Sequence, residues 1–88
     1  MEARMNTVTI QVALSEEGLE ELDLLVSLSG LSSRTELLNS ALTIYRWVAN
    51  EVMDGGEIAA VYRNRGSFNV MEMSVFENLR KNAKRIKS

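Results

Sequence analysis

Residues Thr7 to Leu14 read TVTIQVAL and alternate with period two, Val8, Ile10, Val12 and Leu14 falling on one face and Thr7, Thr9, Gln11 and Ala13 on the other. That pattern specifies a half-buried strand. Its neighbours make it the most constraining feature of the chain, because Ser15 followed by Glu16 and Glu17 reads as a helix N-cap with acids in the first turn. The chain therefore turns into a helix instead of returning as a second strand. A lone strand with one greasy face cannot satisfy its edges or bury that face within one subunit. The economical solution is a second copy: two such strands pairing antiparallel about a two-fold axis, with Val8, Ile10, Val12 and Leu14 as the dimer core and the polar face turned outward.

The first helix continues through Leu19, Leu22, Leu25, Val26 and Leu28 and stops at Gly30, with Leu31 placed for the hydrophobic contact past a glycine C-cap. Ser33 caps a second helix, with Glu36 three positions on completing a capping box. At 100° per residue, Leu37, Leu38, Ala41, Leu42, Ile44, Tyr45, Val48, Ala49 and Val52 form one broad apolar arc. Trp47 lies outside it, among Ser40, Thr43 and Glu51, and Asp54-Gly55-Gly56 ends the helix. Two short apolar runs follow, Ile58 to Tyr62 and Phe68 to Met73, joined through Arg63-Asn64-Arg65-Gly66-Ser67; this reads as a hairpin whose loop uses Gly66 for a positive φ. Ser74 and Glu77 form another capping box, and Phe76, Leu79, Ala83 and Ile86 define one side of a short basic helix. An indole on the polar side of the second helix calls for a cover. Residues 57–73 are expected to supply it, with Phe68, Val70 or Met71 among its contacts.

Composition narrows the chemistry. The 88 residues include no Cys, His or Pro. Disulfides, thiolate- or imidazole-ligated metals, catalytic triads and Cys–His dyads are all excluded, so neither an enzyme nor a metal or other cofactor is expected. No run approaches the roughly 18–20 apolar residues of a membrane span, and the N-terminus lacks a signal-peptide core, so the expected compartment is the cytoplasm. At 9.9 kDa, folding as a monomer would bury roughly 64% of the unfolded surface, a small core that favours oligomerisation. The charge is split: up to Glu57 three bases face ten acids, a net −7, whereas from Ile58 onward seven bases face two acids, a net +5.

The strand–helix–helix order, with TIQVALSEEGLEELDLL followed by SGLSSRTELLNSAL, resembles the ribbon-helix-helix family of the MetJ, Arc and CopG type, over residues 7 to about 53. The resemblance implies an α+β, mainly α fold: an intertwined ribbon-helix-helix dimer, here extended by a C-terminal β-hairpin and short basic helix. It also implies that the ribbon enters the major groove of double-stranded DNA, where a two-stranded ribbon fits. Carried over by position, Thr7, Thr9, Gln11 and Ala13 become base-reading residues, Thr9 and Gln11 centrally, and Ser32, Ser33, Arg34 and Thr35 become a phosphate clamp. Independently of the family, helix N-termini bind anions through unpaired N–H groups. The ribbon face carries no Arg, Lys or Asn, and its nearest base is Arg4.

The expected organisation is an arm at residues 1–6, a dimerising DNA-binding region at 7–54 and an extension at 55–88. The leading expectation is a transcriptional repressor, a homodimer able to pair into a dimer of dimers, with Arg4, Arg80, Lys81, Lys84 and Arg85 as auxiliary DNA or partner contacts. Two alternatives share the fold: an antitoxin whose residues 57–88 bind a toxin, and a protein-interaction module without DNA binding. No membrane partner is expected.

Overall fold

The computed structural model describes residues 7–87, with side chains described for residues 7–83. Its elements, in order, are α1 (Glu16–Leu28), α2 (Arg34–Met53), β1 (Ile58–Tyr62), β2 (Ser67–Met71) and α3 (Ser74–Lys87), a mixed and mainly helical α+β chain. No helix among the described residues is long and apolar enough to cross a membrane. The chain divides into two compact units, residues 1–37 and 38–88.

In the first unit, Ser15 caps α1 as its sequence predicts. Its backbone is extended (φ −68°, ψ 165°) and its hydroxyl accepts the Gly18 N–H at 2.9 Å. At the other end Gly30 adopts φ +70°. The Leu31 N–H then donates to the Val26 carbonyl at 3.0 Å and the Gly30 N–H to Ser27 at 3.1 Å. These two bonds are a Schellman motif, and they turn the chain sharply toward α2. Residues 7–14 form no strand or helix, so the strand expected there is not formed within a single chain; the one sheet among the described residues is the β1–β2 hairpin. Val8, Ile10, Val12 and Leu14 are 88%, 74%, 59% and 49% exposed. None of residues 7–37 is buried; Leu19, Leu22, Val26, Leu31 and Leu37 are half-buried. The apolar residues of this unit have no core of their own.

In the second unit a second Schellman motif ends α2. Gly55 takes φ +96°, the Gly56 N–H donates to Glu51 O at 2.8 Å, and the Gly55 N–H donates to Val52 O at 3.0 Å. The two glycines do different jobs: Gly55 supplies the left-handed backbone, whereas a Cβ on Gly56 would sit 3.1 Å from the Glu51 carbonyl oxygen. Antiparallel β1 and β2 pair Ile58 with Met71, Ala59 with Val70, Val61 with Phe68 and Tyr62 with Ser67. Directly opposed residues share a face, so Ile58, Tyr62 and Met71 lie on one side and Val61, Phe68 and Val70 on the other. The loop between the strands closes with Gly66 at φ +62°, and the Arg65 guanidinium lies 4.5 Å from the centre of the Tyr62 ring. Val52, Phe76 and Ala83 are the buried core among the described residues.

Two local expectations need correction here. Helix α3 begins at Ser74 itself, with the Met73 carbonyl accepting from the Phe76 N–H at 2.9 Å, so Ser74 falls inside the first turn instead of capping it. Trp47 is 58% exposed, so the extension does not bury it. Of the three contacts expected for it, Met71 lines a shallow apolar groove together with Trp47, Ile44, Ile58, Met73 and Phe76. Phe68 and Val70 belong to the opposite face of the hairpin.

Candidate nucleic-acid interface

The four residues assigned to base reading, Thr7, Thr9, Gln11 and Ala13, are all exposed, as are the apolar residues that alternate with them. In an extended segment, successive side chains point to opposite faces. Paired as a strand, the same eight residues would present one hydroxyl- and amide-bearing face and one aliphatic face.

The turn that leads into α2 is built from reciprocal side-chain to backbone bonds. The Ser33 hydroxyl accepts the Glu36 N–H at 3.1 Å, half of the expected capping box. The other half is displaced by one residue: the Glu36 carboxylate accepts from the N–H of Ser32 at 2.8 Å and from its hydroxyl at 3.0 Å. These two donors, the backbone N–H first, hold the Glu36 carboxyl below its ordinary range. Glu36 thus fastens the loop one residue upstream of the N-cap, which spacing rules for capping boxes do not specify. Among the described residues, the backbone N–H groups of Ser33, Arg34 and Thr35 donate to no protein acceptor. Three adjacent free donors at the positive end of a 20-residue helix suit an anion.

Arg34 is not free in this chain. Its Nε donates to Asp23 Oδ1 at 2.9 Å and its Nη2 to Asp23 Oδ2 at 3.1 Å, a two-pronged pair between the first residue of α2 and the middle of α1. Hydrogen bonding to Arg34 lowers the Asp23 pKa, and the same bonds raise that of Arg34. Sequence reasoning missed this pair because the partners are 11 residues apart, beyond any helical spacing rule. The available signal was compositional: Arg34 is the one cation among residues 7–37, against six acids.

The auxiliary cations divide differently. Arg4 lies outside the described residues, as do the side chains of Lys84 and Arg85. Arg80 approaches Glu72 at 4.0 Å, and Lys81 is exposed. No group of His, Cys, Asp or Glu among the described residues could hold a metal ion. Compared with family models, curated proteins and solved structures, the chain matches none.

Proposed function

We propose that two copies of this chain form a ribbon-helix-helix dimer that binds double-stranded DNA and represses transcription, with Thr9 and Gln11 reading bases, Thr7 and Ala13 flanking them, and the Ser32–Thr35 turn gripping phosphate. One observation carries the reading. Val8, Ile10, Val12 and Leu14, spaced in the sequence to share one face of a strand, are left in water by the single chain, immediately before a well-capped helix pair. A symmetric partner strand would bury that face and satisfy the strand's backbone in one step, leaving Thr7, Thr9, Gln11 and Ala13 outward at the alternate positions a major-groove ribbon uses. The three free N–H groups at the start of α2 add the backbone grip that sets register on DNA.

The test is a gel-shift against a random duplex pool at low salt, followed by enrichment of the bound fraction. Gln11→Ala should lose about 1–3 kcal/mol on the enriched site and almost nothing on random duplex. Absence of any shift would reject DNA binding; equal loss on both DNAs would move Gln11 from base reading to backbone contact.

A second reading has its own support. The exposed indole of Trp47 in an apolar groove, with Val61, Phe68 and Val70 exposed across the hairpin, favours an extension that binds protein. A toxin in an antitoxin arrangement, or a second dimer, would suit such a surface. Retained DNA binding separates the antitoxin from a pure interaction module.

A further inference from the structure

Among residues 7–37, Arg34 is the lone base, and both oxygens of the Asp23 carboxylate already occupy its Nε/Nη2 edge. That is the two-oxygen geometry in which a guanidinium takes a phosphate. Resting on the DNA reading above, we infer that Asp23 is an internal competitor for the phosphate at Arg34: the clamp is neutralised in the free protein, and DNA gains the contact by exchanging carboxylate for phosphate.

The alternative, Asp23 as a mere scaffold that aims Arg34 at DNA, fits the charges less well. The Nη1 edge remains open, but a phosphate arriving there meets a guanidinium whose charge Asp23 cancels, with the Glu36 carboxylate bound to Ser32 two residues away. Counterion release, which supplies much of DNA affinity, requires net positive charge at the contact. The pair is also built to open: both side chains are about half exposed, where ion pairs are weak and salt screens them. Because the exchange involves no base, it lowers affinity on every sequence alike.

The experiment uses the full chain and its Asp23→Asn, Arg34→Gln and double variants. Glu21→Gln serves as a control that removes one α1 acid with no role in the fork. Circular dichroism establishes that each is folded. Binding to random and enriched duplexes is then measured across salt concentrations. Asp23→Asn should tighten binding to both DNAs by roughly 2- to 30-fold per dimer, from the range for two exposed pairs, and steepen the salt slope by up to ~2. The double variant should bind no tighter than Arg34→Gln alone. Unchanged affinity and slope in Asp23→Asn would overturn the competitor while leaving DNA binding intact. So would a gain that survives without Arg34, or an equal gain from Glu21→Gln, because either would reduce the effect to general repulsion by α1. If neither wild type nor Asp23→Asn binds any duplex at low salt, the DNA reading itself falls and the competitor with it.

Discussion

Replacing Ile10 by Ala tests the dimer directly, since its effect depends on whether this residue is buried in the working protein. In one chain Ile10 is 74% exposed, within a face whose other members are exposed from 49% to 88%. Scaling roughly 1.5–3 kcal/mol per fully buried aliphatic side chain by those exposures gives about 4–8 kcal/mol per chain for taking the face out of water. That equals much of the 5–15 kcal/mol by which small domains are stable at all. A buried Ile10 truncated to Ala should cost about 2–5 kcal/mol per copy, hence about 4–10 kcal/mol per dimer. A solvent-facing Ile10 would change stability by no more than about 0.5 kcal/mol. The two outcomes do not overlap. Urea unfolding followed by circular dichroism over about a hundredfold range of protein concentration gives the answer, because the midpoint of an obligate dimer rises with concentration. Sedimentation at the same concentrations reports mass. An Ile10→Ala variant as stable as wild type, with a concentration-independent midpoint and monomeric sedimentation, would refute the reasoning.

Gly55→Ala should destabilise the protein by about 1–3 kcal/mol in calorimetry, since φ +96° is strained for any residue with a Cβ; Gly56→Ala should also destabilise, through the backbone contact at 3.1 Å. Glu36 and Asp23 both have lowered pKa values in the fold. Each therefore contributes stability that is complete above its unfolded pKa and disappears as pH falls through the folded one. Thermal melts from about pH 7 down to pH 3 should show part of the acid loss vanish in Glu36→Gln, and an unaltered pH profile would mean that the Ser32 bonds do not form in solution.

Local structure was legible wherever a short-range bond decides it. Ser15 before two glutamates, Gly30 before Leu31, and the Gly55-Gly56 pair each encode a helix end within six residues, and each end forms with the expected hydrogen bonds. The hairpin was legible for the same reason, its register being set by one four-residue loop and Gly66. Ser74 failed as a cap by one position because hydroxyl and carbonyl compete for the same first-turn donors, and the Met73 carbonyl took the Phe76 N–H. The Arg34–Asp23 fork was illegible because it depends on how one helix is turned toward the next, which no periodicity records. The Ser33–Glu36 bond of the turn was thus readable from spacing, whereas the pairing of Arg34 with Asp23 was not.

Trp47 shows the same limit from the other side. Its place off the apolar arc was plain in the sequence, and the inference that something must cover it followed from the cost of an exposed indole. Which residues would cover it depended on hairpin parity. With Ile58 opposite Met71 and Val61 opposite Phe68, only one strand face can look into the groove, and Met71 and Ile58 are on it while Phe68 and Val70 are not. A one-residue slip in the pairing would have exchanged those sets. The hairpin consequently lines one side of the Trp47 groove and carries a second apolar face, Val61, Phe68 and Val70, away from it. An extension that existed only to shelter Trp47 would need one such face. Val61, Phe68 and Val70, exposed by 70%, 64% and 41%, lie on the face turned away from the groove, so sheltering Trp47 does not account for them.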